Sequence, residues 1–151
     1  MIRFIYTTIF AVFTLLVVSC ATPDAATSSA IESYDLYYAP TFVRPEHFTI
    51  ERHPDTYVLR EQAYRGAGGY NPQKLGRSKT KRLSVDDWNR LTSIIHEGKF
   101  WTDAVTDVNK PIPDGIEIIF EGKRPGQHKK IRQHGAYFEF LEDLLENLEK
   151  L

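Results

Sequence analysis

A single cysteine, Cys20, narrows what this chain can fold into more than any other residue. With no second thiol, no disulfide staples the domain and no CxxC pair or cysteine-rich metal cluster organises it. Its stability must come from an ordinary hydrophobic core. The cysteine also closes an apolar stretch. Met1-Ile2-Arg3 carries one positive charge, Phe4 to Val18 is almost wholly apolar, and small Ser19 precedes Cys20. That order of parts is the order of an export signal. The apolar run is about fifteen residues, short of the roughly twenty that a membrane-spanning helix needs, which weighs against an uncleaved anchor. About 130 residues follow, enough for one domain that buries somewhat over 60% of its chain surface.

Val17, Val18, Ser19 and Cys20 resemble, position by position, the lipobox of bacterial lipoprotein precursors, in which aliphatic and small residues precede a cysteine. The resemblance implies diacylglycerol transfer to the Cys20 sulfur, cleavage between Ser19 and Cys20, and acylation of the new N-terminus. Two or three acyl chains anchor a protein stably, since each buried methylene contributes about 0.8 kcal/mol. In such lipoproteins an Asp after the cysteine often marks retention in the inner membrane. Ala21 stands there instead, so the expected address in a diderm cell is the outer membrane, facing the periplasm. Residues 1–19 are then a signal peptide, 20–33 the lipidated cysteine and a flexible tether, and 34–151 a single domain. The tether is small and polar without periodicity, and a flexible dozen residues has a reach of roughly 20 Å.

Along the domain, Tyr34, Leu36, Tyr37 and Tyr38 form an aromatic patch, and Pro40 and Pro45 bar a helix. Residues 34–45 are therefore expected as an extended lead-in packed on the domain. Alternation then takes over. Phe48 and Ile50 alternate with Thr49 and Glu51, and His53-Pro54-Asp55-Thr56 signals a turn. Residues 57–65 are rich in strand formers, Gly66 to Pro72 is a glycine loop, and 74–83 reads as another strand. Ser84 is a good N-cap, Asp86 and Asp87 suit the first turn, and Asp87 stands where a capping box needs its partner. Val85, Trp88, Leu91 and Ile95 share one helical face, and Gly98 is placed to end the helix. Phe100 and Trp101 are expected to fold back as core plugs.

A second unit of the same kind follows. Ile116, Ile118 and Phe120 alternate with Glu117 and Glu121, and Arg124-Pro125-Gly126-Gln127 turns the chain into 128–134. Closing that loop between Arg124 and Gln127 sets Phe120 opposite Ile131, Glu121 opposite Lys130 and Glu117 opposite His134, pairs of compatible character. A last helix over 136–151 carries Leu141, Leu144, Leu145, Leu148 and Leu151 on one stripe, with Glu139, Glu142, Asp143, Glu146 and Glu149 elsewhere. The expected fold class is α+β: an antiparallel sheet of about four to five strands with two helices on one face, built from a repeated strand-strand-helix unit. From Leu83 through Trp88, Leu91, Phe100 and Trp101 to Asp114-Gly115 and the last helix, the chain resembles the small bacterial lipoproteins of unassigned function, whose tether leads into a compact α+β domain. That resemblance carries no catalytic residues over.

The chemistry-bearing residues are sparse. His47 and His53 are six residues apart, as are His128 and His134. Six residues of strand span about 20 Å, so neither pair chelates one ion unaided. A metal site would need convergence with a carboxylate such as Asp55 or Glu117, and there is no HExxH run. The glycine loop lacks the Lys-Ser/Thr ending of a phosphate cradle, no GxSxG serine is present, and adjacent Asp86 and Asp87 suit a helix start and not acid–base work. No catalytic residue, metal ligand or cofactor is therefore expected. Two basic runs stand out: Lys74, Arg77, Lys79, Lys81 and Arg82, then Lys123, Arg124, Lys129, Lys130 and Arg132. On one sheet they could make its uncovered face positive, with Lys79, Lys81, Arg82, Lys129, Lys130 and Arg132 as the interaction surface. Tyr64 and Tyr70, flanking the glycine loop, would suit recognition.

The formal charge is −1, and loss of Arg3 with the signal makes the mature chain more negative by one. Global basicity is absent, so no nucleic-acid partner is expected. The expected function is that of a lipid-anchored cell-envelope protein acting as a non-catalytic binding or interaction module. Its partners would be the membrane, through Cys20, and an envelope protein or an anionic glycan or lipid. One alternative is a small-ligand or inhibitor-type module with a pocket between sheet and helices lined by Trp88, Trp101 and tyrosines. Another is a hydrolase with a converged histidine–carboxylate site.

Overall fold

The structure, a computed structural model, describes residues 30–67, 74–110 and 114–151. Cys20, Ser19, Tyr70 and most of the glycine loop lie outside them. In chain order the elements are β1 (Glu32–Pro40), β2 (Glu46–His53), β3 (Thr56–Arg65), β4 (Lys74–Leu83), α1 (Val85–Glu97), β5 (Val108–Asn109), β6 (Ile116–Arg124), β7 (Gln127–His134) and α2 (Glu139–Glu149). The class is α+β. Among the described residues the sheet has seven strands in the order β4-β3-β2-β1-β6-β7-β5, more than the four to five expected. It is mixed and not wholly antiparallel, because β5 runs parallel to β7. The strand-strand-helix unit occurs twice, as β3-β4-α1 and β6-β7-α2, while β1, β2 and β5 stand outside the repeat. No helix among the described residues is long and apolar enough to cross a membrane.

The largest departure from expectation is β1. The supposed lead-in is a central strand, paired antiparallel to β2 on one side and to β6 on the other. It begins at Glu32, two residues inside the stretch assigned to the tether. Tyr34 and Leu36 point into the core, and Asp35 points the other way, so the strand does alternate. Consecutive tyrosines 37 and 38 blur that alternation in the sequence. Tyr34 is 1% exposed. Its ring stacks on Phe120 and meets Trp88 and Trp101 at centroid distances of 6.0–6.3 Å. Its hydroxyl donates to Glu32, 2.6 Å away. Burial, with that carboxylate beside it, pushes the phenol well above its ordinary range.

The two tight hairpins form where the turn residues demand. His53 pairs with Thr56 across Pro54-Asp55, and Arg124 pairs with Gln127 across Pro125-Gly126. Gly126 takes φ +73°, which a residue with a Cβ adopts only with strain. The register then sets Phe120 opposite Ile131, Glu121 opposite Lys130 and Glu117 opposite His134, as the pattern predicts. Both helices contribute to one core with the inward side chains of the strands. Trp88, Leu91 and Ile95 come from α1, and Phe140, Leu141, Leu144 and Leu148 from α2. Val85, expected on the buried face, is 56% exposed. Leu145 and Leu151 are only partly buried, and Phe140, absent from the predicted stripe, fills the place beside α1.

The end of α1 shows how the helices fit. Ser84 and Asp87 complete the capping box at its start. At its finish Gly98 keeps right-handed α geometry (φ −68°), and Lys99 takes the left-handed conformation (φ +54°). Gly98 is needed for closeness: a Cβ there would lie 2.3 Å from the Phe140 ring. Gly122 of β6 is similar, since its Cβ would meet Phe100 at 2.7 Å. Phe100 is fully buried as a plug, and Trp101 is half-buried beside it under the Arg124 guanidinium, 4.3 Å from the ring centroid. Gly98→Ala should destabilise the fold by about 1–3 kcal/mol through overpacking. Lys99→Gly should stabilise it by about 0.5–1 kcal/mol by relieving the left-handed backbone. Urea unfolding of both variants reads the two signs.

Candidate interaction surface

Period-two alternation sorts every polar side chain of the sheet onto the core side or the side turned away from it. This divides the predicted interaction residues. On β4, Lys79 and Lys81 pair with Glu61 and Leu59, so they share the side of buried Leu59, while Arg82 pairs with Val58 on the reverse. On β7, Lys129 falls on the side of buried Ile131, and Lys130 and Arg132 on the other. The two runs are also far apart. Five strand spacings separate β4 from β7 in the sheet order, about 24 Å. They do not form one positive face.

Lys129 is committed to structure. Its ammonium donates to the Thr102 carbonyl and lies over the Phe100 ring. It belongs to a set of contacts that fasten the segment after α1 onto the outer edge of β7. The Arg132 amide donates to Asp107 Oδ1 at 2.7 Å, and the fully buried Gln133 donates through Nε2 to the Thr106 carbonyl at 2.7 Å. With β5, these contacts cover that end of the sheet.

The side turned from the core carries alternating charges. One register row runs Arg60–Thr49–Asp35–Glu121–Lys130 across β3, β2, β1, β6 and β7. Two carboxylates thus stand directly opposite one another, an unfavourable pairing that separate donors relieve. Asp35 accepts from Thr49 at 2.8 Å and lies 3.2 Å from His47 Nε2. Partial burial opposes its ionisation, but the hydrogen bonds from His47 and Thr49 outweigh that and leave its pKa below the ordinary value. Glu121 is held by Lys123 at 2.6 Å, His128 at 3.0 Å and Lys130 at 3.1 Å. The Lys123 contact is the main cause of its pKa falling to about 2, helped by Lys130 and His128. Nearby, Glu51 takes Arg60 and His53, and Glu117 takes Arg132. Asp35, Tyr37, His47, Ile119, Glu121 and Lys130 line a shallow depression of about 270 Å3.

Three histidines therefore meet carboxylates, each a different one: His47 with Asp35, His53 with Glu51 and His128 with Glu121. Among the described residues no three His, Cys, Asp or Glu side chains gather as ligands for one metal ion. Between sheet and helices, Trp88 packs on Tyr34 and Tyr57, and Trp101 on Tyr34 and Phe100, so these rings fill one another's space. Tyr64 lies against Tyr37 with centroids 6.3 Å apart, away from the core. Asp35 and its pairing with Glu121 escape sequence reading. The signal available was the alternation of residues 34–38, which places an aspartate beside whichever strand pairs with it.

At the opposite end of the sheet β4 is bare. Nine of its ten residues are exposed, and among the described residues it pairs only with β3. Arg77 and Lys79 share the single carboxylate of Glu61. Lys81 donates to the Leu151 carbonyl and Arg82 to that of Asp55. No known protein family, curated protein or solved structure matches the chain.

The Glu121 cluster has a pH signature. Its carboxyl titrates lower in the folded chain than in the unfolded one, where about 4.3 is usual. Its contribution is full above that value and is lost as pH falls toward 2, because the unfolded chain then binds the extra proton. Its partners are largely exposed, so the effect is a modest one. Glu121→Gln should flatten the loss of unfolding free energy between about pH 5 and 2, read by chemical denaturation at stepped pH.

Proposed function

We propose that the protein is a lipid-anchored, non-catalytic module of the cell envelope that docks an acidic region of another envelope protein at β4. The observation that supports this is β4 itself: an exposed strand bearing Lys74, Arg77, Lys79, Lys81 and Arg82 with no acidic residue of its own. One carboxylate, Glu61 of β3, serves both Arg77 and Lys79, whereas the polar side of the sheet answers its charges through Glu121, Asp35, Glu51 and Glu117. Of the six sequence-derived interaction residues, this reading keeps Lys79, Lys81 and Arg82. It releases Lys129, Lys130 and Arg132, which stand five strand spacings away on β7.

In this reading Cys20 carries the lipid, and the residues between it and β1 form the tether. Ala21 directs the protein to the outer membrane of a diderm cell, facing the periplasm. Both helices contribute to one core, and among the described residues the outer edge of β4 has no partner strand. A second reading, small-ligand binding, is favoured by one observation: the depression in which Tyr37 and Ile119 offer apolar surface between the polar groups of Asp35, His47 and Lys130.

Two measurements test the leading reading. A pull-down from solubilised membranes should recover a partner with the wild-type chain, and the Lys79→Glu/Lys81→Glu variant should recover about tenfold less. Equal recovery by the two, or none, would overturn it. A Cys20→Ser chain should lose acyl label and keep its first nineteen residues; normal processing and membrane retention would refute the lipid anchor.

A further inference from the structure

The two ends of the sheet are treated differently. Beyond β7 the outer edge is occupied by β5 and by contacts from Thr102, Thr106 and Asp107. Beyond β4 the described chain places nothing, so a ten-residue strand keeps one edge of backbone donors and acceptors without a ladder partner. Such an edge is a template for another strand, and proteins usually blunt it. The charges here blunt it selectively. A second copy pairing edge to edge would bring five cations against the same five, so self-association is opposed. An acidic strand meets no such barrier. Glu61 of the neighbouring β3 pairs with both Arg77 and Lys79, and with Glu46 and Glu149 it lines a hollow that these two cations share, so one paired carboxylate serves two of the five cations.

Resting on the docking reading above, we infer that the partner contributes an extended acidic segment that adds to the sheet as an eighth strand alongside β4. The alternation of β4 sets the segment's chemistry. Its core-side residues would face Arg77, Lys79 and Lys81 and are acidic at every second position. Its other side would face Ser78, Thr80 and Arg82 and takes small or β-branched polar residues. Backbone hydrogen bonds supply the pairing, and the period-two charge match supplies the selectivity.

The test uses the processed, full-length lipoprotein in detergent micelles and two labelled peptides of about eight residues alternating threonine and glutamate. The second has its backbone amides methylated, so it carries the same charge but cannot extend a ladder. At low salt the first should bind at least about tenfold more tightly than the second, and should slow amide hydrogen exchange across β4. Lys79→Glu/Lys81→Glu should abolish its binding while leaving the circular dichroism spectrum unchanged. Equal binding of both peptides, or binding without protection of β4, would overturn strand addition and leave docking by charge standing. No binding of either peptide overturns strand addition, and an empty membrane pull-down in addition overturns the docking reading.

Discussion

The insertion of β1 between β2 and β6 is the constraint on which the rest of the structure depends. Without it the sheet divides into two: the β2-β3-β4 meander and the β6-β7-β5 set, joined only through the helices and the segment after α1. β1 joins them by backbone ladders on both sides and by Tyr34, whose ring touches residues from α1, from the segment that follows it, and from β6. Phe100 and Phe140 then bring α2 against the same cluster. A domain with no disulfide has to build its cooperativity from contacts of this kind, made between residues far apart in the chain.

That central placement also decides the polar side. Because β1 separates β2 from β6, Asp35 falls directly opposite Glu121, and the sheet resolves the conflict with donors from β2 on one side and from β6 and β7 on the other. The outcome is a mixed-charge surface that answers itself. The basic excess is thereby confined to one margin of the sheet, and the other margin is closed by the segment after α1.

Much of this was legible in the sequence where a local rule sufficed. Once Arg124 and Gln127 are taken to close the turn, the alternation around it gives the pairing of Phe120 with Ile131, Glu121 with Lys130 and Glu117 with His134 that the structure has. The capping box at Ser84 and Asp87 is a four-residue pattern, and the burial of Trp88, Leu91 and Ile95 follows from helical spacing. Elsewhere local rules pointed away from the outcome. Gly98 does end α1, but the left-handed conformation falls to Lys99, and the glycine is also required by the approach of Phe140 from a distant helix. Val85 fits the apolar face by spacing but is exposed. β5 is two residues long and exists only because β7 is there to pair with it.

The sequence by itself determined the elements governed by neighbours in the chain: strand alternation, turns, helix starts, the absence of any disulfide, and the apolar segment that ends at Cys20. Those properties arise from contacts within a few residues and are written in residue order. Only the tertiary structure decided which strand lies in the centre, that two basic runs of similar composition stand toward opposite ends of one sheet, and that one lies beside the covering β5 while the other, among the described residues, borders an edge with no partner strand. These are matters of strand order. Pairing energies between strands are similar wherever the pattern alternates, so the arrangement is selected by the packing of Tyr34, Phe100, Phe120 and Phe140 into one core.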